Sequence, residues 1–142
     1  MNSKKSEKFL KTATTTLAKE IMRFGGENMK VLPRYKEAII PEDKFLKYSL
    51  DIKRQPDKAL IFREALGYTE DNAQLLIDNI RCNLQNFPAE SKGNKGYGET
   101  YAVLMTLTGI NNKTANVMTA WLDDNKTGEM RLTSVYVKKR KG

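Results

Sequence analysis

The chain has 142 residues, one cysteine, no histidine, and 25 lysines and arginines against 17 aspartates and glutamates, a formal charge of +8. That length suits one domain with one core, and the lone Cys82 excludes an internal disulfide. Without histidine a zinc site or a Ser-His-Asp triad is excluded, while the positive charge favours a polyanionic partner, nucleic acid or an acidic protein.

Apolar Phe9, Leu10, Ala13, Leu17, Ile21 and Phe24 recur every third or fourth residue, which predicts an amphipathic helix over 7–24, stopped by Gly25 and Gly26. Residues 1–28 are then an accessory helix and linker, and 29–142 the main domain with a basic tail. Residues 29–40 alternate poorly and contain Pro33, so they read as an extended arm; Pro41 suits the first turn of a helix over 41–50. A second helix over 57–66 carries Ala59, Phe62, Ala65 and Leu66 as its apolar stripe and ends at Gly67. Thr69 is an N-cap for a third over 70–86, where Ala73, Leu76, Ile77, Ile80 and Leu84 share one face.

Residues 89–98 are rich in Gly, Lys, Ser and Asn without apolar period, which predicts a mobile loop. Three strands follow. The first puts Tyr101, Val103, Met105 and Leu107 mostly on one face, the second covers 114–122, and the last covers 129–137. In the last, Arg131, Thr133 and Val135 alternate with Leu132, Ser134 and Tyr136. The expected fold class is therefore α+β, with N-terminal helices followed by a C-terminal antiparallel β-meander. No stretch is long and apolar enough to span a membrane and no signal peptide opens the chain, so a soluble, cytoplasmic protein is expected.

Were the polyanion that the charge favours an RNA, cleaving it without metal would need a base for the 2′-hydroxyl, an acid for the leaving 5′-oxygen and cations around the phosphate. Lysine, arginine, tyrosine and carboxylates would have to share these tasks here. Lys58 stands one turn before Phe62, at the border of the buried face, where its ammonium either meets a phosphate or snorkels to water. A loop of about five residues between the last two strands would set Arg131 opposite Trp121 and Thr133 opposite Thr119. That arrangement makes a polar patch in which Arg131 and the threonines take a phosphate and Trp121 stacks a base or packs in the core. Ser134 and Tyr136 would join Arg131 only if a β-bulge turned the strand end. Tyr97 and Tyr101 are further stacking candidates, and Lys92 and Lys95 either grip phosphate or are simply solvated.

From residue 29 to 136 the sequence resembles a family of small uncharacterised domains found at the C-termini of polymorphic bacterial toxins and phage head-morphogenesis proteins. The resemblance is carried by Ala38-Ile39-Ile40-Pro41 with Lys44 and Tyr48, Lys58-Ala59 before Phe62, Leu66-Gly67-Tyr68, Thr119 with Trp121, and Arg131-Leu132 through to Tyr136. Such domains are similar in layout to the barnase, EndoU, colicin and RelE group of metal-independent ribonucleases. The resemblance implies an endoribonuclease acting on cellular RNA, tRNA among the candidates, with no cofactor and with an acidic immunity protein as partner. Lys58, Arg131, Thr119 and Thr133 would then be the catalytic set, and Trp121, Tyr136, Ser134 and Lys95 would bind substrate. Asp57 stands where the family favours glycine, and Ser134 where threonine is expected. The alternative is a non-catalytic phage or mobile-element accessory domain that binds nucleic acid or protein through its basic surface.

Overall fold

A computed structural model describes residues 30–138. The helix expected over 7–24 and the cationic run beyond Lys138 lie outside the described residues. The chain divides between Lys30 and Val31, and the account below concerns the unit that begins at Val31.

The arm with Pro33 passes through a short 3₁₀ turn, Tyr35–Glu37, and then lies along the edge of the last strand. The Ile39 N–H donates to the Met130 carbonyl at 2.8 Å and the Ile39 carbonyl accepts from the Leu132 N–H at 2.9 Å, a parallel bridge that covers an otherwise bare edge. The helix expected over 41–50 forms over 43–49, with an α turn at Asp43 and Lys44 that widens into a π-helix, Phe45–Ser49, in which the Leu50 N–H reaches back to the Phe45 carbonyl at 2.8 Å. This π-type spacing brings Phe45, Ser49 and Leu50 to the buried side together, with 0%, 4% and 2% exposure. Ser49 Oγ then donates to the Val135 carbonyl at 2.9 Å.

Helix α1, Pro56–Leu66, starts with proline in its first turn and stops at Gly67, which takes φ 82° and sends its N–H to the Arg63 carbonyl at 2.9 Å. A capping box follows: the Thr69 N–H donates to Asn72 Oδ1 at 2.7 Å while Thr69 Oγ1 accepts from Asp71. It opens a 3₁₀ turn that runs into α2, Ala73–Asn83, and a closing 3₁₀ turn, Leu84–Asn86. The buried stripe Ala73, Leu76, Ile77, Ile80 and Leu84 is the one the spacing requires.

The rest is a four-stranded antiparallel meander in the order β1 Ala89–Asn94, β2 Gly98–Thr108, β3 Thr114–Asp124 and β4 Met130–Val137. The protein is thus α+β, helices first and meander last. The expected loop over 89–98 is instead mostly strand. As the edge of the sheet, with every residue after Ala89 exposed, β1 needs no apolar period, and backbone pairing with β2 holds it. Helix α1 packs on β3 and β4, and α2 on β2. Between them lie Val103, Met105, Leu107, Val117, Trp121, Leu132 and Val135 from the sheet and Phe62, Leu66, Leu76 and Ile80 from the helices. Among the described residues no helix packs on the opposite face of the sheet. Among the described residues no helix is long and apolar enough to cross a membrane.

The β3–β4 register differs from the expected one. Asp124 and Glu129 are joined by the Asp124 N–H to the Glu129 carbonyl at 2.9 Å, so the connection is one residue shorter than the sequence suggested. Arg131 then sits opposite Leu122, Leu132 opposite Trp121, and Val135 opposite Thr119. A bulge at Thr133 separates the Leu132 and Ser134 pairings and resets the alternation. Arg131, Ser134 and Tyr136 consequently share the open face, while Leu132 and Val135 turn inward.

Candidate functional site

The open face holds a groove of about 550 Å³. Its floor comes from Thr100 and Ala102 on β2 and from Met118, Ala120 and Leu122 on β3. Thr133, Ser134 and Tyr136 of β4 wall one end, and Lys92, Lys95 and Tyr97 of the β1–β2 hairpin wall the other. The hairpin is held in place by its own bonds. Asn94 Oδ1 accepts the Gly96 N–H at 2.7 Å, Thr100 Oγ1 donates to the Gly93 carbonyl at 2.7 Å, and the Tyr97 carbonyl accepts the Asn125 N–H from the next turn at 2.8 Å. Gly96 supplies the φ of 103° that this tight turn needs.

Of the residues singled out in the sequence, Thr133, Ser134, Tyr136 and Lys95 do line this groove. Lys58 does not line the groove, but from α1 its Nζ lies 5.8 Å from the centre of the ring of Tyr136, which does, a cation–π contact beside the β4 end. The sequence reading placed Tyr136 on the face away from Arg131. The Thr133 bulge reverses that, and the bulge is a register feature that alternation alone does not disclose. The Thr133 hydroxyl donates to the Ala120 carbonyl at 3.1 Å, which pins the bulge to β3.

Thr119 and Trp121 belong elsewhere. Thr119 is 0% exposed on the helix side of the sheet; its Oγ1 donates to the Val103 carbonyl at 2.8 Å and accepts Trp121 Nε1–H at 2.8 Å. Trp121, 1% exposed, touches the groove only from beneath and cannot offer a ring face to a base. The expected pairing of Arg131 with Trp121 and of Thr133 with Thr119 is therefore replaced by a core hydrogen-bonded pair, because the shorter turn moves the partner of Trp121 by one residue, to Leu132, and the bulge moves that of Thr119 by a second, to Val135.

Arg131 faces the open side, but its guanidinium is bound to the Asp124 carboxylate, which is 8% exposed and also accepts the Lys126 N–H at 2.8 Å. Beside it, Arg34 holds Asp123 at 2.6 Å. Both arginines are thus tied to carboxylates at the end of β3, and neither presents an unpaired cation to the groove. On the helix side of this end, the Tyr101 phenol is pushed above its ordinary 10.0, first by burial and then by the Glu99 and Asp123 carboxylates, with Arg34 acting the other way. Lys92 pairs with Glu90 at 3.1 Å.

The groove's other defining residues, Ala102 and Ala120, carry no chemistry that a sequence scan seeks. Their signal is two small side chains on the polar face of two strands, and it becomes visible only once the register is known. Among the described residues no group of three or more carboxylates and thiols gathers to hold a metal ion.

No curated protein and no solved structure shows a significant match to the chain. A family model does match, over residues 31–139, which is the whole of the folded unit described above. The chain belongs to that family, a domain of unknown function designated DUF6883.

Proposed function

We propose that the chain is a toxin-like, metal-independent endoribonuclease domain that works on the open face of its sheet, at the groove end formed by Tyr136, Ser134 and Thr133, where Lys58 meets Tyr136. The observation that carries this reading is the meeting of Lys58 and Tyr136, 5.8 Å apart, beside exposed hydroxyls at the mouth of a groove whose other end carries lysines. Helices before an antiparallel meander is also the layout that the resemblance to the toxin domains implies, although a fold alone does not decide an activity.

The chemistry balances as a transphosphorylation. The substrate's 2′-oxygen attacks phosphorus and gives its proton to water, the phosphorus–5′-oxygen bond breaks, and the Tyr136 phenol protonates the departing 5′-oxygen. Lys58 offsets the charge that builds on the phosphate, and the phenolate left on Tyr136 takes a proton back from water. Strands stand about 4.8 Å apart, so Glu90 on β1 is roughly 14 Å across the sheet from Ser134 and serves no phosphate bound at the β4 end. An acidic immunity protein over this face is the partner that the reading implies, drawn on by the positive charge.

A second reading, binding of nucleic acid without cleavage, is favoured by the commitment of Arg131 to Asp124 and of Thr119 to the core, which leaves fewer groups for catalysis than the sequence suggested. Induced expression with cellular RNA examined on a gel separates the two. Cleavage by the wild type that is lost in Lys58→Ala and Tyr136→Phe supports the enzyme. Intact RNA with retained binding supports the second reading.

A further inference from the structure

Register aligns three small side chains across the open face. Ala102 sits opposite Ala120, and Ala120 opposite Ser134, so adjacent strands contribute a methyl, a methyl and a hydroxymethyl in one row. The next rows on the same face are larger: Thr100, Leu122 and Arg131 on one side, and Leu104, Met118 and Tyr136 on the other. Same-face neighbours along a strand are about 7 Å apart, so the two ridges stand about 14 Å from each other with a methyl floor between them. The result is a trough that runs across the strands, from Glu90 of β1, which sits opposite Ala102 and pairs with Lys92, to Ser134 of β4. Alanine is a poor strand former, and two alanines directly opposite forgo the cross-strand contact that β-branched or aromatic residues would make there.

We infer that this trough takes one unpaired nucleobase, flat on Ala102 and Ala120 between Leu122 and Met118, so that the substrate is single-stranded rather than duplex RNA. The inference rests on the RNA-directed reading above and adds the subsite. The floor methyls and the Leu122 and Met118 side chains are apolar and suit a ring face, the exposed Ser134 hydroxyl at one end can meet a base edge, and Lys95 in the groove lining and Lys58 beside Tyr136 stand where the adjoining phosphates run. A base stacked within a duplex has both faces covered and cannot lie on this floor.

Ala120→Leu and Ala102→Leu each fill the trough from the solvent side without entering the core, so both variants should keep the wild-type melt. The probes are an unstructured oligoribonucleotide, a fully paired blunt duplex of the same composition and a set of homopolymers, with binding followed by fluorescence anisotropy on the full chain. The expected result is wild-type preference for the unstructured probe, a loss of ten-fold or more in either leucine variant, and an altered preference among the homopolymers in Ser134→Ala. Wild-type binding that persists unchanged in both leucine variants, or that is as tight for the duplex, overturns the trough while leaving RNA binding by this face intact. A wild type that binds none of the probes overturns the trough and the RNA-directed reading together.

Discussion

One hydroxyl settles where the only tryptophan of the chain goes. Thr119 Oγ1 accepts Trp121 Nε1–H and donates to the Val103 carbonyl, so a buried indole is satisfied without any water. Thr119→Val keeps the shape but leaves both partners unpaired, and a loss of about 1–3 kcal/mol in urea unfolding is expected with RNA affinity unchanged. Arg131 is also structural in part. Arg131→Ala strands the Asp124 carboxylate, which keeps only its bond to the Lys126 N–H, and should cost about 1–3 kcal/mol, whereas Lys58→Ala, on an exposed contact, should leave the melt within about 0.5 kcal/mol of wild type. Tyr101 gives a test by pH. Below 10.0 its phenol is protonated in the folded and the unfolded chain alike and the stabilisation linked to its raised pKa is fully present; above 10.0 the unfolded chain ionises first, and stability falls until the folded phenol ionises too. Tyr101→Phe should show a smaller loss of stability over that alkaline range. These residue roles were only partly legible in the sequence: the alternation marks Thr119 as a strand residue, but its face and partners depend on a turn length that no local signal fixes.

Elements were legible where burial is one-sided. The stripe from Ala73 to Leu84, the Thr69 cap and the Gly67 stop each follow from a short-range rule, and each is found. Strand β1 escaped because an edge strand exposed on both faces has no apolar period to read. The π-type width of Phe45–Ser49 escaped for a different reason: the pattern of a helix is present, but Ser49 and Leu50 both reach the core only through a π-type turn. At the junction of elements, Gly109 sits where a Cβ would meet the Leu66 carbonyl oxygen at 2.1 Å, with the Ile110 N–H bonded to that same oxygen at 3.0 Å. Gly109→Ala should therefore push the β2–β3 turn off the end of α1 and cost about 2–3 kcal/mol, read by thermal and urea unfolding. A melt like that of wild type would show that this contact is slack.

At the scale of the described unit, residues 31–138, helices cover one face of the sheet and leave the other to a groove with lysines at one end and the Lys58–Tyr136 pair beside the other. The order of elements was legible in the sequence, and the net charge of +8 pointed to a polyanion. The site was not, because the bulge at Thr133 and the Ala102–Ala120–Ser134 row are properties of pairing between strands far apart in sequence. The most direct test of the central claim is cleavage of an unstructured labelled RNA by the purified chain in excess chelator, with the fragment ends identified. The account predicts fragments with 5′-hydroxyl ends, and a fall of about 10²-fold or more in rate for Lys58→Ala and Tyr136→Phe at unchanged stability. Fragments that carry 5′-phosphate and vanish with chelator, or equal rates in both variants, would contradict it.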